Sequence, residues 1–172
     1  MPFAQNAAEA RNAGPGPVEP GRGQDTLVVE NPTGTEPAVA ALAMPFLTFQ
    51  PTRGHGADEA MEVYTALFAD GEVVSVRRRA AGTPGEGTVE LAEFVVAGQR
   101  FRASDSPVEH AWGFTPAVSV WVECASVDEQ RRVFETLAEG GREYMPLDDY
   151  GFGPFGWVED RFGVSWQLAA PA

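Results

Sequence analysis

The sequence has no lysine, one cysteine, two histidines and no long apolar run. All twelve basic residues are arginines, which we read as codon bias rather than chemistry. Acidic residues outnumber them at 25, giving a formal net charge of −13. So acidic a chain argues against nucleic acid as partner, because phosphates need a basic face. It argues equally against an anionic membrane surface. With Cys124 alone there is no intrachain disulfide framework and no Cys-based zinc cluster. Cys124 sits in an apolar strand pattern and reads as an inert buried thiol. A membrane-spanning helix needs about 20 consecutive apolar residues, and none is found. The first residues lack the basic and apolar stretches of a secretory signal, so the expected setting is the cytoplasm. His55, in a Gly-flanked loop, and His110, in a linker, both read as solvated or structural.

What is present divides unevenly. Residues 1–43 are dominated by Ala, Gly and Pro, and such a segment cannot bury enough apolar surface to offset its ordering entropy. We expect a flexible leader there, with Leu27-Val28-Val29 as its one strand-like run. Met44-Pro45-Phe46 repeats the opening Met1-Pro2-Phe3, so Met44 is the alternative initiator and the leader would then go untranslated. Compact patterning starts at that point, and 44–172 is long enough for one domain with a sizeable core.

Phe46–Gln50 reads as a strand. Ala57–Ala69 reads as a helix, with Ala57, Ala60, Met61, Tyr64, Leu67 and Phe68 on one face and Gly71 ending it. Glu72–Ala80, Thr88–Ala97 and Gln99–Asp105 read as strands. The order then repeats: strand Ala117–Cys124, a helix from Ser126 to about Ala138, and strands Arg142–Leu147, Gly156–Asp160 and Val164–Ala169. Ser126 and Glu129 form a capping box at the second helix. The fold class is α+β, with two βαβββ modules, 44–111 and 112–172, forming curved mixed sheets around a cavity.

The stretch Asp160-Arg161-Phe162-Gly163-Val164-Ser165-Trp166-Gln167-Leu168 is the most informative. Asp160 can hydrogen-bond its own backbone two residues on, and Gly163 supplies the positive φ of a tight turn. The strand that follows alternates: Val164, Trp166 and Leu168 on one side, Ser165 and Gln167 on the other. Such a polar pair faces either water or a pocket. Arg77-Arg78-Arg79 reads as a solvated strand end, with Glu partners as the second reading. The loop Tyr150-Gly151-Phe152-Gly153-Pro154-Phe155 is a lid, a plain hairpin loop or a dimer contact.

These motifs resemble those of a known family. Phe46-Leu47-Thr48-Phe49, Glu59-Ala60-Met61-Glu62-Val63-Tyr64, Gly98-Gln99-Arg100-Phe101, Phe114-Thr115-Pro116 and Gly156–Gln167 look like the vicinal-oxygen-chelate superfamily of glyoxalase I, bleomycin-resistance proteins and extradiol dioxygenases. Within it the chain is similar to the PhnB-like group, labelled 3-demethylubiquinone-9 3-methyltransferase-like. The resemblance implies the glyoxalase/bleomycin-resistance fold and a homodimer. No Gly-rich strand-to-helix turn for an adenosyl cofactor supports the methyltransferase label.

Metal-dependent members carry four ligands on four strands, the last a Glu four residues after the turn glycine. That place holds Gln167, and the other inferred places fall at Arg102, Ala117 and near Phe46–Thr48. An amide is a weak donor, alanine is none and arginine repels a cation, so we expect no metal and no other cofactor. The expected function is binding of a small organic molecule. Arg102 would anchor an acidic group and Trp121 would stack, with Ser104, Ser119, Ser165 and Gln167 completing the pocket. The alternative is a lyase- or isomerase-type enzyme with a divergent metal site or with Glu93 as acid–base. Glu93 is a carboxylate expected on the apolar face of Val89, Leu91 and Val95, and a pair with Arg77, Arg79 or Arg102 would satisfy it equally.

Overall fold

The structure, a computed structural model, describes residues 41–172. Residues 1–40 of the expected leader, Leu27-Val28-Val29 included, lie outside the described residues. Eight strands and two α-helices follow in the order β1 (Phe46–Phe49), α1 (Ala57–Leu67), β2 (Glu72–Arg78), β3 (Val89–Val96), β4 (Gln99–Asp105), β5 (Ser119–Glu123), α2 (Val127–Ala138), β6 (Arg142–Asp149), β7 (Pro154–Glu159) and β8 (Ser165–Ala169). They build two four-stranded sheets, β1-β4-β3-β2 and β5-β8-β7-β6. In each, the first strand pairs in parallel with the last and the other pairings are antiparallel. This is the expected α+β pair of βαβββ modules. Both sheets stay open; neither closes into a barrel.

Period decides which side of each sheet is covered. In β3, Ala92, Phe94 and Val96 are buried, and in β4 Phe101 and Ala103 join them. They meet Ala60, Met61, Tyr64 and Leu67 of α1, spaced at three and four along the helix. In the second module Val122, Val158, Trp166 and Leu168 meet Val133, Phe134 and Leu137 of α2. One hydrophobic cluster joins the modules, and each large side chain in it contributes about 1.5–3 kcal/mol of burial. Tyr64 of α1 crosses between them, donating its hydroxyl to Asp160 Oδ2 at 2.7 Å and packing edge-on to Trp166.

Local expectations meet three adjustments. Helix α1 stops at Leu67, two residues before the expected Ala69, because Phe68 turns extended at φ −124° and packs on the core. The chain then doubles back so tightly that a Cβ on Gly71 would sit 1.9 Å from the Thr65 carbonyl oxygen. Val89 does not share the face of Glu93. The pairing of β2 with β3 slips between Arg77 and Arg78, which turns Val89 into the core, fully buried. The capping box forms as Glu129 N donates to Ser126 Oγ at 3.1 Å, while the Glu129 carboxylate accepts from Ala125 N rather than from Ser126 N. Arg77 and Arg78 are exposed yet paired, with Glu90 at 2.8 Å and bidentately with Asp58.

Candidate functional site

Among the described residues, no further layer covers the face of each sheet opposite its helix. The edge strands β1 and β5 come together around a cleft of about 540 Å³. Phe46, Leu47, Phe101, Phe114, Val120 and Trp121 give it an apolar lining, and Thr115, Ser119 and Ser165 contribute hydroxyls. Ser119 and Ser165 are opposite one another in the parallel register of β5 and β8, with their Oγ atoms 2.7 Å apart. Trp157 Nε1 donates to Ser165 Oγ at 2.8 Å. One hydroxyl hydrogen is used between the serines, so one O–H remains for a ligand or for the Pro116 carbonyl at 3.5 Å.

Trp121 is 53 % exposed and stacks on Phe155, with ring centroids 5.8 Å apart. The aromatic loop resolves as the β6–β7 hairpin connection. Its Tyr150 and Phe152 pack against each other and against Phe155, extending the wall that starts at Trp121.

Of the residues expected in the pocket, Ser119, Trp121 and Ser165 line the cleft. Gln167 is the register partner of Trp121, one strand further in, and outside the lining. Arg102 and Ser104 lie on β4 as register partners of Phe46 and Thr48, also outside the lining. Arg102 Nη2 reaches Glu93 Oε2 at 3.5 Å, and Arg100 Nη1 lies 3.3 Å from Glu93 Oε1. Glu93 is thus held between two guanidiniums, with its side chain 17 % exposed. Phe46, Leu47 and Phe114 were not among the expected pocket residues. They enter because two sheet edges meet, which no local pattern encodes.

The donor set does not suit the divalent ion of metal-dependent relatives. Gln167 offers a neutral amide, Arg102 faces Glu93, and Ala117 has no donor. Among the described residues no three His, Cys, Asp or Glu side chains gather as metal ligands would. Cys124 is buried, and desolvation followed by the Glu129 charge pushes its thiol up to about 11, so it stays protonated. His110 is structural: Nε2 lies 2.8 Å from Ser106 Oγ and the ring stacks on Trp112. Among the described residues no helix is long and apolar enough to cross a membrane.

The family described as 3-demethylubiquinone-9 3-methyltransferase has a model that matches residues 42–169. The chain belongs to this PhnB-like family. It is 45 % identical to a PhnB protein from Bacillus cereus, over 75 % of this chain and 98 % of that one, with a TM-score of 0.70. Protein PA1353 from Pseudomonas aeruginosa is 26 % identical over 76 % of this chain and 98 % of its own, with a TM-score of 0.65. The fosfomycin resistance protein FosX of Listeria monocytogenes shares the fold at 13 % identity and a TM-score of 0.52, over 78 % of this chain and 96 % of that one. No curated protein matches the PhnB-like chain significantly.

Proposed function

We propose that this PhnB-like protein binds a small aromatic or polar organic molecule bearing an acidic group, in the cleft between β1 and β5, without a catalytic metal. One observation carries the reading: a cleft of about 540 Å³ combines an aromatic wall with a fixed pair of hydroxyls. Ligand pockets run to about 300–1,000 Å³ and pair apolar linings with few polar groups. Trp121 supplies the stacking surface and the Ser119–Ser165 pair the hydrogen bond. Arg102 anchors the acidic end from the neighbouring strand, since its 3.5 Å contact with Glu93 leaves most of its donors free. Glu93 as acid–base catalyst is the weaker alternative, because both its oxygens already face arginines. The sheet faces left uncovered among the described residues support a homodimer as the working form, and the cytoplasm is its proposed setting.

The test is a screen of small carboxylates and phenols by tryptophan fluorescence, repeated on variants. Trp121→Ala should abolish or strongly weaken any hit. Arg102→Ala should weaken an acidic hit by about 1.5–3 kcal/mol, the worth of a charged hydrogen bond. Hits that bind Trp121→Ala unchanged would remove the cleft as the site.

A further inference from the structure

A second, smaller pocket of about 220 Å³ adjoins the cleft, and Gly113 and Phe114 line both. Its ionisable lining residues are Arg53, Arg161 and His55, with no carboxylate among them, in a chain of formal net charge −13. The Arg161 guanidinium makes no hydrogen bond among the described residues, and its Nε is buried without a partner. Among the described residues its one charged contact is Glu59 Oε1 at 3.5 Å; the side chain as a whole is 30 % exposed and the guanidinium lies over the Phe162 ring at 4.9 Å. Arg53 makes two long contacts, Nε to Glu109 Oε1 and Nη1 to the Trp112 carbonyl, both at 3.4 Å, and its Nη2 makes none among the described residues. His55 uses Nδ1 on Glu59 at 2.8 Å. Gln50 spends neither end on the pocket: Nε2 donates to the Trp112 carbonyl and Oε1 accepts from His110 N, which fixes the linker that forms the pocket wall.

A buried guanidinium nitrogen without an acceptor is costly, and such atoms ordinarily find a partner in the protein, a water or an ion. Two planar donor forks around one small pocket match an oxyanion, which accepts several N–H groups at once. We propose that this pocket is a binding site for a small oxyanion, phosphate or carboxylate, held by Arg161 and Arg53 and separate from the cleft. Glu59 is its internal competitor, because it lies against both Arg161 and His55.

The test titrates inorganic phosphate, and in a parallel arm acetate, into the full chain by calorimetry at constant ionic strength set with chloride. Saturable binding of one anion per chain is expected, and the stronger arm identifies the class. Arg161→Gln and Arg53→Gln should each weaken it at least tenfold, with urea midpoints reported alongside to show that the variants fold. Glu59→Gln removes the competing carboxylate and should tighten binding, a change of sign that misfolding does not produce. No saturable binding of either anion, arginine variants that bind like the parent, or weaker binding by Glu59→Gln would each overturn the proposal.

Discussion

Replacing Asp160 by Asn should destabilise the chain by about 2–4 kcal/mol, and the figure follows from four hydrogen bonds. Oδ1 accepts from Phe162 N and Val164 N, both at 2.9 Å. Oδ2 accepts from Tyr64 OH at 2.7 Å and from Trp166 Nε1 at 2.8 Å. Asparagine keeps one carbonyl oxygen, best turned to the two backbone groups that close the turn. Its NH₂ then faces Tyr64 and Trp166. The tyrosine hydroxyl can rotate to accept; the indole N–H can only donate, and Trp166 is 1 % exposed. One orphaned buried donor costs about 1–3 kcal/mol, and losing the charge roughly halves the strength of the bonds that remain. A relief works the other way. Desolvation raises the Asp160 pKa against the hydrogen bonds that lower it, and the neutral amide escapes that penalty. Urea unfolding followed by tryptophan fluorescence measures the balance. The midpoint should fall at constant slope, and Tyr64→Phe on top of Asp160→Asn should cost less than it does in the parent. A loss below about 0.5 kcal/mol, the range of ordinary surface substitutions, would refute the view that this carboxylate ties the modules together.

Burial first, then the Asp160 charge, holds the Tyr64 phenol well above its usual pKa. A folded pKa above the unfolded one means that this contribution is complete below about pH 10 and lost as pH rises from there. Stability should therefore fall in alkali, and Tyr64→Phe should flatten that fall in a pH series of urea midpoints. Gly71→Ala should destabilise by about 1–3 kcal/mol or more, since its Cβ would collide with the Thr65 carbonyl at 1.9 Å; thermal melting reads it, and an unchanged melting temperature would count against the turn. A chain starting at Met44 should melt within a degree or so of the full chain, because the sequence of residues 1–43 offers no periodic apolar face, and a clear drop would give the leader a structural role. Light scattering at micromolar concentration should give twice the chain mass; a monomer would exclude the homodimer.

The parts of this protein legible in its sequence are those whose partners lie within a few residues. The D-x-x-G turn closes through Asp160 Oδ1, two and four residues away, with Gly163 at φ 89°. Ser126 caps a helix three residues on. Alternation in β8 sends Trp166 and Leu168 into the core. Twice repeated, such local patterns determined the two βαβββ modules.

The site obeyed different physics. Ser119, Trp121 and Ser165 come together because β5 pairs with β8 in a register that places Ser119 opposite Ser165. Arg102 turns to Glu93 because an antiparallel register sets them opposite each other. Val89 leaves the face its period assigns because one slip in pairing reverses it. Tyr64 meets Asp160 across 96 residues, and Arg53 nears Arg161 only where a linker and a turn close on one pocket. Sequence by itself determined the elements, since hydrogen bonds and periodicity within a segment fix them. Tertiary structure alone decided which charges found partners and which were left facing a pocket, because that depends on sheet order, register and the meeting of edges distant in the chain.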